Sequence, residues 1–451
     1  MSERSWSFSD SMAAAADKAG SPVELMRDLG VGKFTKVPDE ITNWIEEQRS
    51  WRESVAFADQ SYHMTDHYVE GPDALDFYRD YAVNKFDNTE PGKAKQLVVA
   101  NPNGKFIGDA IWFHLEEDKF LSVGGAAAHN WLQYQAETGD YDLEAEMQPR
   151  PVTMDEDPTY YRFQVQGPDA IDVMRDVADE PLPDLGFFKH TSISIQGHDV
   201  NILRHGMAGE AGYEFWGPYE EGEEIKEIFM DAGDAYDIKH LGAESYQTPN
   251  AILGWIPLVV PAIFDEGMED YLEWLDVGDG LLSIGGSFES DDITDYYFTP
   301  TELGYGHIID TNGDYCGSEA LAAEAGDPDR EKVTLVWNDE DVVDVFASLF
   351  RDGPTKKFMR LPHPRSSACH YDKVLDENGE QVGVSTDKSY IYNQRELISL
   401  AVVDSEYAEP GTEVSLVWGE PEDNTNKRVE RHEKTEIRAT VATAPYTEDS
   451  R

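Results

Sequence analysis

The chain is short of positive charge, of cysteine and of uninterrupted apolar sequence. Lysine and arginine number 36 against 90 aspartates and glutamates, a formal net charge of −54. That shortage leaves no basic groove for nucleic acid and sets the chain against anionic membrane surfaces. The acidic residues are spread along the whole sequence and are not gathered into a tail. An acidic, solvated surface of this kind suits a cytoplasm at very high salt, where the Debye length shrinks to about 3 Å at 1 M. The composition looks halophilic. At low ionic strength the same charge repels itself and loosens the fold.

Only Cys316 and Cys369 are present, far apart and in no Cys-x-x-Cys pattern. They imply no disulfide framework and no structural zinc site, which fits a reducing compartment. The longest apolar run, AILGWIPLVVPAIF at 251–264, is broken by Pro257 and Pro261 and is short for a membrane span. The first twenty residues lack the apolar stretch of a secretory signal. The expectation is a cytoplasmic protein with no membrane and no nucleic-acid partner.

What remains is ordinary for a globular protein: 40% hydrophobic and 11% aromatic residues in 451 positions, enough for two or three domains. VEGPDALDFYRD at 69–80 recurs as VQGPDAIDVMRD at 165–176, each copy after an aromatic-rich run. Gly-Pro ends a strand, and proline then suits the first turn of a helix, where its missing N–H costs nothing. Asp73 and Asp169 fall in that first turn, against the positive end of the helix dipole. Two strand–turn–helix units built alike point to a pseudo-symmetric α+β domain. QLVVA and KFIGDAIWF flank NPNG at 101–104, a hairpin signature. The segment 226–240 reads as a helix. From about 331 short strands divided by turns predict a C-terminal β-barrel, with 420–436 as a solvated loop or edge. The boundaries expected are 1–325 for the first domain and 331–451 for the barrel.

Chemistry-bearing patterns are sparse. There is no Lys-Ser/Thr phosphate loop, no Gly-x-Ser-x-Gly elbow and no His-Glu-x-x-His motif. GMAGEAG at 206–212 lies between strands and reads as a turn. Asp109 stands in the strand around 105–113 with apolar residues on both faces, so its carboxylate is buried or lines a pocket, and either is costly without a partner or a function. His63, Asp66 and His67 could hold a metal on a helix; their aromatic surroundings indicate a strand, and no metal is expected. Tyr246, between a Gly-rich turn and an apolar run, reads on its own as a packed tyrosine with one hydrogen bond.

Together, WRESVAFADQSYHM, GKFIGDAIWF, YRFQVQGPDA, RHGMAGEAGYEFWGPYE, ESYQTPNAILGWIPLVVPAIF and GGSFESDDITDYYFTPTELGYG are similar to the tetrahydrofolate-dependent methyltransferases related to the glycine-cleavage aminomethyltransferase. The chain most resembles the branch that demethylates vanillate and 3-O-methylgallate, over nearly its whole length. The resemblance implies tetrahydrofolate as cofactor and a small methyl donor as partner, with methyl transfer from an aromatic methyl ether to folate N5. It makes Tyr246 the acid for the leaving oxygen, a role suited to a hydroxyl of ordinary pKa ~10 facing a phenol. It further implies Glu214 as the pterin-binding carboxylate, Asp109 near folate N5, Gln166 as a folate contact, and Gln60, His63 and Trp255 in the substrate pocket. The acidic pair of the family is Gly108-Asp109 here. Gly125 stands where vanillate-type enzymes resemble one another in carrying an arginine for a substrate carboxylate. Two other readings stay open: glycine-cleavage aminomethyl transfer, with a lipoyl carrier protein as partner, and a non-catalytic folate-binding protein.

Overall fold

The computed structural model describes residues 5–27, 36–148, 157–207, 209–324 and 328–446. The first sheet is built from β1 (Ala56–Asp59) and, much later in the chain, from five strands within 160–240; five strands between them form a second sheet. The second sheet comprises β2 (Thr65–Glu70), β3 (Ala94–Ala100), β4 (Phe106–Glu116), β5 (Lys119–Gly124) and β6 (Glu144–Gln148), in the order β3-β4-β5-β2-β6. The first adds β7 (Tyr160–Gln166), β8 (His190–Ile195), β9 (His198–Arg204), β10 (Gly212–Pro218) and β11 (Lys239–His240) to β1, in the order β11-β1-β7-β10-β9-β8.

Both copies of the duplicated motif form the predicted units. β2 leads into helix Ala74–Tyr81 and β7 into helix Ala170–Val177, with Asp73 and Asp169 at the caps. Glycine is required at the two turns. Gly71 and Gly167 have φ of 146° and 125°, and an added Cβ would fall 2.6 Å from the Asp142 oxygen and 2.5 Å from the Ser54 oxygen. Each helix buries its apolar stripe under its own sheet; Val173, Met174 and Val177 do so beneath the first, each worth about 1.5–3 kcal/mol relative to exposure. The predicted hairpin is β3–β4, in antiparallel register with Val98 opposite Asp109.

The predicted helix over 226–240 needs correction. The helix runs Gly222–Gly233, gives way to a single 3-10 turn at Asp234–Tyr236, and the chain re-enters the first sheet as β11. Asp237 takes a left-handed φ of 55°, and Ile238 folds back onto Gly233, where a Cβ would meet its side chain at 2.6 Å. Close packing onto a glycine ends the helix early.

The C-terminal part is a closed six-stranded barrel: Arg330–Trp337, Glu396–Asp404, Gln381–Ile391, Asp372–Leu375, Glu413–Trp418 and Thr435–Ala442, each paired with the next. Leu335, Trp337, Val374, Leu416 and Trp418 fill it. The expected solvated stretch from 420 starts otherwise. Glu420 is 2% exposed and accepts from Lys357 Nζ at 2.6 Å and from the Gly286 N–H at 2.7 Å. An acidic residue there is buried because a buried lysine and a backbone donor meet it. The α+β architecture with a terminal barrel is as expected from the sequence. No helix among the described residues is long and apolar enough to cross a membrane.

Candidate active site

Strand alternation positions the site. On β7, Tyr161, Phe163 and Val165 enter the core beneath the first sheet, so Arg162, Gln164 and Gln166 share the opposite face. All three are nonetheless buried. On β10 the alternation repeats: Tyr213 and Phe215 enter that core, and Glu214 and Trp216 share the other face, Glu214 lying opposite Gln164 and Leu203. On β4, Asp109, Ile111 and Phe113 share one face of the second sheet. Phe113, Leu121 and Val123 of that sheet pack with Leu203 and Trp216 of the first, and Ile111 lies against them. The polar row of the first sheet thus confronts the Asp109 face of the second.

One hydrogen-bonded cluster gathers residues from four segments. The Tyr246 hydroxyl, at the end of helix Ala243–Tyr246, accepts from Gln60 Nε2 at 3.0 Å and lies 3.3 Å from His63 Nε2 and 3.8 Å from the Met207 sulfur. Gln60 Nε2 also reaches Gln164 Oε1 at 3.3 Å. Glu214, 4% exposed, accepts from His205 Nδ1 at 2.9 Å. Burial pushes the Glu214 carboxyl up, but His205, Arg162 and Gln60 more than offset that and hold it below its ordinary value. Burial, then the nearby Glu214 charge, pushes the Tyr246 hydroxyl above its ordinary value, with Gln60 opposing. Tyr246 therefore stays protonated at every working pH.

A second cluster surrounds Asp109. Its Oδ2 accepts from Tyr305 at 2.6 Å, Gln96 Nε2 at 2.7 Å and Trp255 Nε1 at 2.8 Å. Burial raises the carboxyl's pKa, and the three donors pull it partly back. The barrel contributes Lys332 here. Its ammonium donates to the Leu303 carbonyl, and burial, against the pull of Asp109, lowers its pKa to about 8.

The structure brings Gln60, His63, Tyr246 and Glu214 together as one set. Trp255, expected in the substrate pocket, donates its indole N–H to Asp109 at 2.8 Å and so belongs to the second cluster. Gln166 accepts from the Met207 N–H at 2.7 Å and so fixes the turn that carries Met207. His63, Asp66 and His67 diverge to Tyr246, Arg162 and Gln133; among the described residues no group of three His, Cys, Asp or Glu could hold a metal ion. Gly125 begins helix Ala126–Thr138, and nothing lies within 4 Å of a Cβ built on it. Residues not singled out from the sequence are Gln164, Arg162, His205, Gln96, Tyr305 and Lys332. Tyr305 had a signal, the Gly-Tyr-Gly of the 285–306 motif.

The face that carries Arg162, Gln164 and Glu214 also suits a ligand rich in hydrogen-bonding edges. Gln60 Oε1, Gln164 Nε2 and Arg162 Nη1 are buried with no hydrogen-bond partner among the described residues. Orphans of this sort cost about 1–3 kcal/mol each unless something pairs with them. Donors and acceptors set beside an ionised carboxylate suit the amino, N–H and oxo groups of a reduced pterin.

The GCVT N-terminal domain model matches residues 23–250. The syringate O-demethylase of Sphingobium sp. (strain NBRC 103272 / SYK-6) is 40% identical over 443 residues, 97% of this chain and 96% of that protein. The sesamin methylene transferase of Sinomonas sp. (strain No.22) is 30% identical over 395 residues, covering 84% and 82%. Among solved structures, the glycine cleavage system aminomethyltransferase T from Bartonella henselae superposes with a TM-score of 0.62 over 90% of each chain at 18% identity, a likeness of fold.

Proposed function

The chain belongs to the GCVT family of one-carbon transferases, and from that premise we propose that it is a tetrahydrofolate-dependent O-demethylase acting on a small aromatic methyl ether. The observation that carries this reading is the Tyr246 cluster. A proton-holding hydroxyl is oriented by Gln60, touched by His63 and set near the carboxylate Glu214. Residues 1–325 form the folate-binding part and 331–451 the barrel that closes it, with Lys332 reaching in from the barrel.

Tetrahydrofolate, when bound, supplies N5 as the nucleophile for the methyl carbon. Glu214 accepts N–H groups of the pterin, a charge-assisted contact, and Gln166 supports that contact by fixing the Met207 turn. Asp109 orients N5; because its Oδ2 already takes three donors, Oδ1 is the oxygen left for that task. As the methyl–oxygen bond of the donor breaks, the electron pair goes to oxygen and Tyr246 gives that oxygen its proton. Gln60 donates to the Tyr246 oxygen, which frees the hydroxyl hydrogen to point at the substrate. The proton displaced from N5 on methylation makes good the one Tyr246 gives up, with His63, 3.3 Å from the hydroxyl, as the group that relays it to the tyrosinate. The raised pKa of Tyr246 makes it a reluctant acid, so the proton moves only once charge has built up on the leaving oxygen. Trp255, anchored on Asp109, forms the wall between folate and donor.

The test is anaerobic incubation in molar KCl with tetrahydrofolate and a panel of methoxylated aromatics, syringate first, with identification of the folate product. Methyl-tetrahydrofolate and a matching phenol are expected. Methylene-tetrahydrofolate, formed only with an aminomethylated lipoyl carrier protein, would replace this reading by the aminomethyltransferase one. Bound folate with no turnover of any donor would leave a binding protein. Tyr246→Phe is expected to lower turnover by about 10²–10⁴-fold with folate affinity unchanged; retained turnover would remove Tyr246 from the acid role. We further place the enzyme in a reducing, high-salt cytoplasm, on the strength of its acidic composition and two free cysteines.

A further inference from the structure

Arg162 is 3% exposed, yet only part of its guanidinium is used. Nη2 donates to both oxygens of Asp66, at 3.1 and 3.2 Å. The guanidinium carbon lies 5.3 Å over the Trp216 ring, which holds the plane of the group. Nη1 is buried and has no partner among the described residues. Two residues along the same face of β7, Gln164 Nε2 is in the same condition, and Glu214 lies directly across from it on β10. An amide can present either end, but a guanidinium can only donate. Arg162 therefore settles what the ligand must offer at this point: an acceptor.

Charge narrows that acceptor further. Asp66 already neutralises Arg162, and Glu214 is close enough for Arg162 to lower its pKa. A ligand carboxylate arriving here would meet the charge of Glu214, and the nearest guanidinium, Arg162, is already matched by Asp66. A neutral carbonyl oxygen meets no such penalty, and its lone pairs suit the orphan donors. The face thus offers acceptors at Glu214 and a fixed donor at Arg162. It complements an edge that runs N–H, N–H, C=O.

We infer that Arg162 reads the 4-oxo group of the reduced pterin, beside the N–H groups taken by Glu214, and so sets the enzyme's choice of a 4-oxo over a 4-amino cofactor. The inference rests on the folate reading. Gln164 adds a second donor on the same side. Nothing in the strand pattern alone calls for an arginine here, because apolar side chains would cover Trp216 equally well.

The experiment is anaerobic titration calorimetry, in molar KCl and without methyl donor, of tetrahydrofolate and of its 2,4-diamino counterpart, whose position 4 carries a donor. Wild type is expected to bind the 4-oxo ligand more tightly. In Arg162→Gln the ratio of the two affinities is expected to fall about tenfold or more, as a lost hydrogen bond to a charged group implies, with the loss falling on the 4-oxo ligand. Arg162→Lys keeps the ion pair with Asp66 and hence the fold, but has no fork to serve two partners, and is expected to show the same narrowing. An unchanged ratio in both variants would overturn the inference and leave the folate reading standing. Failure of wild type to bind either ligand would overturn the folate reading and this inference with it.

Discussion

Asp109 carries three donors on one oxygen and still has a raised pKa, so burial outweighs its hydrogen bonds. The sign matters for stability: a carboxyl whose folded pKa lies above its unfolded value costs stability once it ionises. Asp109→Asn removes that cost and keeps a carbonyl for Tyr305, Trp255 or Gln96. At neutral pH its melting temperature is expected to equal or exceed that of wild type while turnover falls. A lower melting temperature in calorimetry would show that the three donors need the charge. Asp109 was legible in the sequence because apolar residues stand on both sides of it in its strand. Gln164 and Arg162 were not. They alternate with Tyr161, Phe163 and Val165, and such alternation reads as an outer, solvated face. Here that face is covered by the second sheet, and no local pattern announces a cover.

At the level of elements, local chemistry is legible in the sequence and distant pairing is not. The Asn-Gly hairpin and the two Gly-Pro-Asp turns are decided by backbone geometry within a few residues, and they form as the sequence predicts. The helix over 226–240 ended early because of packing between Ile238 and Gly233, and the 420 region turned inward because of Lys357, a partner far away in sequence. That pair joins the barrel to the backbone at Gly286 through Glu420. Lys357→Met leaves the Glu420 charge buried without its cation, and is expected to destabilise the protein by about 3–5 kcal/mol at pH 7. Burial raises the Glu420 pKa, but Lys357 and His370 overcome that and bring it from 4.5 to about 2. A depressed carboxyl gives its stability in full above 4.5 and loses it as pH falls toward about 2. Denaturant unfolding at a series of pH values should therefore show wild type and variant converging across that window. A difference independent of pH would assign the loss to packing against Trp418, which lies 4.4 Å from the Lys357 ammonium.

For the molecule as a whole, charge dominates. At −54 over 451 residues, self-repulsion opposes the compact state and screening relieves it. The melting temperature is expected to rise steadily from low salt to molar KCl. A flat curve would mean that the acidic residues are neutralised locally by the ion pairs that dot the surface.

The interleaving of the two sheets has a consequence in time. β1 leaves the ribosome early but hydrogen-bonds β7, whose residues 160–166 follow some hundred positions later. At about 5–20 residues per second, β1 must wait roughly 5–20 s for its neighbour, while the intervening second sheet is already complete enough to close on itself. The nascent chain thus carries an unmatched, apolar strand through that interval. Gln60, the first residue after it, acquires its place at the Tyr246 hydroxyl only when synthesis has passed position 246. Translation speed across this stretch, as much as the finished sequence, sets how long the chain is open to capture by chaperones or by other nascent copies.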